Sequence, residues 1–100
     1  MSIENITDSL KSRAADFRSL NAAVRFQMED GQVIRVDARE SPVTVSTDDG
    51  DADCTIRISS DNLKKLIEGR LNPMMAFTMG KLKVDGSMGL AMKLSQLLDD

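Results

Sequence analysis

Asp48, Asp49, Asp51 and Asp53 form the densest cluster of potential metal ligands in the sequence. With Asp49, Asp51 and Asp53 set as the first, third and fifth positions of a calcium loop, Cys54 falls where that loop needs glycine and Ser60 where it needs a bidentate glutamate. The cluster therefore reads as a solvated hairpin loop. Cys54 lies on the apolar side of an alternating stretch, which points to burial as a small hydrophobe rather than to a reactive thiolate. The chain has no His and a single Cys, so neither the usual zinc or haem ligand sets nor Ser-His and Cys-His nucleophilic pairs can be assembled from it, and no internal disulfide can form. No cofactor and no catalytic residue are expected. Gly80, Gly86 and Gly89 lack the Gly-Lys-Ser/Thr ending of a phosphate loop. Lys81 and Lys83, two apart on one face of a strand, read either as a solvated face or as holders of an anionic head group.

The second constellation is apolar. Five of the seven Met residues (Met74, Met75, Met79, Met88 and Met92) fall within 19 residues. Thioether side chains fill irregular cores, and they also line surfaces that adapt to ligands or partners of variable shape. The last helix favours the second use: at 100° per residue Leu90, Ala91, Leu94, Leu97 and Leu98 share one stripe, while Met88 and Met92 sit four apart on another side.

These residues belong to a chain of 100 residues with 41% apolar side chains, enough for one domain, 1–100, with its own core. The net charge is −3, unevenly spread: residues 1–53 hold 6 basic and 11 acidic groups, residues 54–98 hold 7 and 3. A net-acidic chain without a set of stacking aromatics is a poor nucleic-acid binder. Met1-Ser2-Ile3-Glu4-Asn5 does not begin a signal peptide, no apolar run is long enough to span a bilayer, and Leu97-Leu98-Asp99-Asp100 is not a targeting signal. The expected location is cytoplasmic.

Ile3, Ile6, Leu10 and Ala14 mark a helix over 2–16. The period then changes to two. Val24, Phe26 and Met28 alternate with polar residues, Asp30-Gly31 supplies a turn, and further strands are expected at about 32–38, 43–47 and 52–58. Four consecutive strands with one apolar face predict an antiparallel meander that needs a cover. Ser59-Ser60-Asp61 opens a helix running to Gly69, and Asn72 caps another that starts at Pro73 and stops at Gly80. Lys81 to Asp85 reads as a fifth strand, and Gly86-Ser87 leads into a helix from Met88 to about Leu98.

Leu71-Asn72-Pro73, Ala76-Phe77, Gly80-Lys81-Leu82-Lys83-Val84 and Gly86-Ser87-Met88-Gly89-Leu90-Ala91-Met92-Lys93-Leu94 closely resemble the signature of the sterol carrier protein 2 lipid-transfer domain. Weaker similarity extends to Ala52-Asp53-Cys54-Thr55-Ile56 and back to the Phe26 strand. The resemblance implies an α+β fold, a five-stranded, mostly antiparallel sheet covered by helices that enclose an apolar tunnel. It further implies intracellular binding of sterol-like, fatty acyl, acyl-CoA or isoprenoid lipids, with their transfer between membranes or presentation to an acceptor enzyme. The short N-terminal helical part bears on the volume of the tunnel, while the missing peroxisomal tripeptide and the lack of a fused enzyme domain suggest a stand-alone bacterial module. In this picture Phe26, Val36, Ile56, Leu71, Met75, Phe77, Met79, Leu82, Met88 and Met92 contact the lipid. Lys81 and Lys83 attract its head group or a membrane surface, and the last helix, entered through Gly86, is a lid. The competing reading makes the same Met-rich surface a protein–protein or dimerisation face, which leaves the oligomeric state open.

Overall fold

The computed structural model describes residues 3–39, 42–47 and 50–98; the Asp48 and Asp49 positions of the acidic cluster lie outside them. The first apolar stripe forms helix α1 (Ile3–Ser12), burying Ile6 and Leu10. The expected continuation to residue 16 is not α-helical. The Arg13 amide donates to the Leu10 carbonyl and the Asp16 amide to the Arg13 carbonyl, and a 3₁₀-helix, Ala14–Leu20, follows. Phe17 and Leu20, three apart, fall on one side of this tighter helix and are buried. Asn21 ends it at φ 54°, in the left-handed region that Asn tolerates better than most residues.

Five strands follow: β1 (Ala23–Gln27), β2 (Val33–Asp37), β3 (Thr44–Ser46), β4 (Cys54–Ile58) and β5 (Leu82–Gly86). They form one sheet in the order β3-β2-β1-β4-β5. Three of the four pairings are antiparallel, but β4 lies parallel to β1, with Val24 opposite Cys54 and Phe26 opposite Ile56. This corrects the expected meander. Alternation fixes which face a residue occupies and says nothing about which strand is its neighbour.

The parallel pairing requires the chain after β3 to cross the sheet, and the outer face holds it there. Arg25 and Arg35 are directly opposite on β1 and β2, a like-charge pair that destabilises a bare sheet. Here Arg25 Nη1 donates to the Gly50 carbonyl at 3.4 Å and its Nη2 to Thr55 Oγ1 at 3.0 Å. Arg35 Nε donates to the Asp51 carbonyl at 2.6 Å and its Nη2 to Asp37. The two guanidinium groups thus clasp the crossing loop instead of facing each other bare.

The inner face is apolar. Val24, Phe26, Ile34, Val36, Cys54, Ile56, Ile58 and Leu82 join side chains from the helices in one buried core. Helix α2 (Ser60–Ile67) contributes Leu63 and Leu66, α3 (Pro73–Thr78) Ala76, and α4 (Met88–Leu98) Ala91 and Leu94. The start of α2 is doubly capped: Ser59 Oγ accepts the Asn62 amide, and Glu29 accepts both the amide and the hydroxyl of Ser60. Among the described residues no helix is long and apolar enough to cross a membrane.

Candidate functional site

Helix α3 is short but well delimited. Asn72 Oδ1 accepts the amides of Met74 and Met75, and Pro73 occupies the first turn, where its missing N–H costs nothing. At the other end the Lys81 amide donates to the Ala76 carbonyl and the Gly80 amide to the Phe77 carbonyl, with Gly80 at φ 76°. This Schellman closure needs a left-handed residue, and glycine adopts it without strain. Only Pro73 and Ala76 of the helix are buried, so α3 is clamped by its caps more than by packing.

Helix α4 is held differently. Gly86, the last residue of β5, has φ 105°, and a Cβ there would lie 2.8 Å from the Asp53 carbonyl oxygen. The strand-to-helix corner is therefore pinned against β4, which makes it a poor hinge. At the far end Arg13 Nη1 donates to the Ile67 carbonyl at 2.9 Å and Nη2 to the Leu97 carbonyl at 3.4 Å. One cation thereby ties the C-terminal turns of α2 and α4, whose carbonyls attract positive charge.

Between α3 and α4, over the β5 edge of the sheet, lies a narrow apolar cleft of about 60 Å³. Ile56, Leu82 and Val84 form its floor, Pro73, Met74 and Phe77 one wall, and Met88, Ala91 and Met92 the other. Every lining side chain is apolar, so no side chain in it can act as a general acid or base.

The sequence-assigned contacts divide in two. Ile56, Phe77, Leu82, Met88 and Met92 come together at this cleft. Phe26 and Val36 are fully enclosed in the core, on the inner face of β1 and β2 and away from the β5 edge. Leu71 is half-buried against the same core, and Met75 and Met79 stand 59% and 58% exposed outside the cleft. Four lining residues were not among the assigned lipid contacts: Pro73, Met74, Val84 and Ala91. Val84 could have been found from its two-residue spacing to Leu82, and Ala91 from its helical spacing to Met88.

Lys81 and Lys83 do not line the cleft. They border a separate, open groove of about 310 Å³ with Gln27, Glu29 and Arg57. Lys83 is directly opposite Arg57 on the outer face, where Arg57 Nε is paired with Asp85 at 2.8 Å. The Glu29 carboxyl at the groove is held below its ordinary range by its own backbone amide and then by the Ser60 amide. Burial pushes the Cys54 thiol up, with the Asp85 and Asp53 charges acting in the same direction. The buried thiol is thus kept in its unreactive, neutral form.

A single layer of helices on one face of a five-stranded sheet, with an apolar cleft at the sheet edge and no polar group inside it, defines a small α+β domain suited to hydrocarbon contact. The model of the SCP-2 sterol transfer family matches residues 3–99, and the chain belongs to that family. It is 36% identical over 101 residues to sterol carrier protein 2 of Rattus norvegicus, a match covering 94% of this chain and 18% of the rat protein. The chain thus spans about a fifth of that relative's length. Among solved structures it is similar to sterol carrier protein domain 2 of Helicoverpa armigera, at 28% identity and TM-score 0.73, covering 95% of this chain and 80% of that one. The fold is shared with palmitated SCP2L2 from Aedes aegypti at 19% identity and TM-score 0.74, covering 100% and 96% of the two chains.

Proposed function

We propose that this chain is a non-catalytic carrier that takes up a lipid-like molecule in the cleft between α3, β5 and α4. The observation that carries the reading is the lining, which is apolar throughout and flanked by large apolar side chains left in solvent. Moving a 12-carbon chain from water into such a site gains on the order of 10 kcal/mol before ordering costs. That gain needs no directional polar contact, so it suits fatty acyl, isoprenoid and sterol-like hydrocarbons alike.

The cleft as it stands, about 60 Å³, is far too small for such a ligand, since pockets for small molecules run to about 300–1,000 Å³. One wall must move, and the anchoring argues for α3. Helix α4 buries Ala91 and Leu94, starts from a pinned glycine and ends at the Arg13 clasp. Helix α3 buries little and lies between two loops. In this reading α3 swings outward, Met74 and Phe77 follow the ligand, and α4 stays seated, which reverses the lid assignment drawn from the sequence.

Support for the ligand class comes from the family, described as one of sterol transfer, and from the palmitated state of the Aedes aegypti protein. The test is native mass spectrometry of the purified chain combined with titration by a fluorescent fatty acid. Saturation at one probe per chain is expected. A probe that never saturates, with no apolar molecule co-purifying, would sink the carrier reading. A stable dimer dissociated by charges placed at Met88 or Met92 would favour the interaction-module reading instead.

A further inference from the structure

The two edges of the sheet differ. Strand β3 spans only three residues, the short form in which edge strands resist further pairing. Strand β5 is five residues long and pairs with β4 residue for residue from Leu82 to Gly86, with no bulge to bend it away. Its other side borders no strand. Among the described residues, no backbone hydrogen bond outside the β4 pairing involves residues 82–86, so alternate N–H and C=O groups along β5 point outward without a partner in the chain.

The two faces of this edge carry opposite chemistry. On the inner face Leu82 and Val84 floor the apolar cleft, beside the exposed side chains of Phe77 and Met88. On the outer face Lys81, Lys83 and Arg57 border the separate groove. Arg57 is paired with Asp85, whereas neither Lys81 nor Lys83 takes part in an ion pair among the described residues. Charges on an edge strand ordinarily turn other strands away. Here the repulsion is selective: it rejects a strand that is basic on the outer face and favours one that is acidic there.

We propose that the β5 edge binds an extended segment of a partner protein in which acidic and apolar side chains alternate, taking it into the sheet as a sixth strand. Successive side chains of a strand point to opposite faces. Such a segment therefore sets its carboxylates beside Lys81 and Lys83 and, at the same time, its apolar residues beside Val84, Phe77 and Met88. Main-chain hydrogen bonds to β5 supply affinity, and the alternation supplies specificity. A second copy of the chain fits less well. Paired strands lie about 4.8 Å apart, and each copy carries α3 and α4 over its β5 edge, helices about 10 Å across that would compete for one space. A bare segment brings no helix with it. The site goes beyond the carrier reading and requires no lipid in the cleft.

The experiment is fluorescence anisotropy with labelled Val-Glu repeat peptides of about eight residues, within the usual length of a strand, alongside fluorescent fatty-acid titration. Three controls accompany the repeat: the same residues in non-alternating order, a Val-Lys repeat, and the Val-Glu repeat N-methylated throughout, which keeps its side chains but has no main-chain donor. The unmodified Val-Glu repeat should bind about tenfold or more tightly than each control. Its binding should slow amide hydrogen exchange within residues 82–86. Lys81→Glu with Lys83→Glu, both positions being exposed, should reverse the preference, so that the Val-Lys repeat binds and the Val-Glu repeat does not. Equal binding of the alternating and reordered peptides, or of the N-methylated and unmodified ones, would overturn strand addition, as would protection confined to residues outside β5. Wild-type chain that saturates with the fatty-acid probe but takes no peptide refutes this proposal and leaves the carrier reading standing. Peptide binding without probe saturation does the reverse. A concentration-dependent dimer whose formation protects residues 82–86 would assign the edge to a second copy and overturn the proposal.

Discussion

Asp53 and Ala23 grip each other twice: Asp53 Oδ2 accepts the Ala23 amide at 3.0 Å, and the Asp53 amide donates to the Ala23 carbonyl at 2.9 Å. This exchange sits where β1 and β4 begin to run side by side. Arg39 Nε reaches the same carboxylate at 3.4 Å. An aspartate that looked like part of a solvated acidic loop therefore closes the one parallel pairing of the sheet.

Asp53→Ala should lower stability at neutral pH, with Asp53→Asn in between because its carboxamide oxygen can still accept the Ala23 amide. The wild-type carboxyl is held below its ordinary value of 3.8 by the Ala23 amide first and by Arg39 second. Its contribution is complete above that value and is lost as pH falls through the depressed folded pKa. Denaturation curves of wild type and Asp53→Ala should therefore converge in acid. Equal stability at neutral pH would remove this role.

Two glycines with positive φ should respond differently to alanine. Gly86→Ala forces a Cβ to 2.8 Å from a backbone oxygen, whereas nothing lies within 4 Å of a Cβ at Gly80. We expect a cost of about 1 kcal/mol at Gly80, from conformation alone, and about 3 kcal/mol at Gly86, where the neighbouring backbone must also yield. Urea midpoints measure both, and equal losses would contradict the close approach.

Arg13→Met retains the aliphatic stem and removes the hydrogen bonds to Ile67 and Leu97. The expected loss is about 2 kcal/mol, the usual range for bonds from a charged donor. Amide hydrogen exchange should quicken at the C-terminal turns of α2 and α4 together. Faster exchange in only one of them would mean that the residue does not couple the helices.

Phe77→Asp and Met92→Asp should each weaken fluorescent fatty-acid binding by about tenfold or more, since a carboxylate resists burial beside a hydrocarbon chain. Both positions are over 40% exposed in the unliganded chain, so thermal stability should hardly change. Affinity equal to wild type in both variants would place the ligand elsewhere.

Native Cys54 should resist a chromogenic disulfide reagent at neutral pH and react only as the chain unfolds. It is buried, and burial with two nearby carboxylates raises its thiol pKa. Rapid labelling under native conditions would contradict that environment.

The local code was legible where one residue type admits one structural role. Asn72-Pro73 and Gly80 bracket α3 as the sequence predicts, and the alternation through Phe26, Ile56 and Leu82 finds the inner face of the sheet. The 3₁₀-helix was not legible, because Arg13 offers no side-chain cap and Phe17 and Leu20 fit no α-helical stripe on their own. Phe26 and Val36 were assigned to the ligand for a similar reason. Alternation puts them on the inner face, but only the arrangement of helices above decides which part of that face is sealed and which borders a cleft. The lysines show the opposite case: Lys81 and Lys83 are near the cleft in sequence, while in space they border a separate groove across β5 from it.

The crossing loop under Arg25 and Arg35 also constrains the order in which the molecule can assemble. The β1–β2 hairpin needs only local contacts, but Val24 and Cys54, opposite each other in the parallel pair, are joined by a path that first runs out to β3 and back. Closing such a long loop is slow compared with forming a hairpin. Ile56 reaches the cleft floor only when that loop has closed, and β5, α3 and α4 are built outward from β4. Docking of β4 onto β1 is therefore the late, committing event, and substitutions at Arg25 or Arg35 should slow folding more than they speed unfolding.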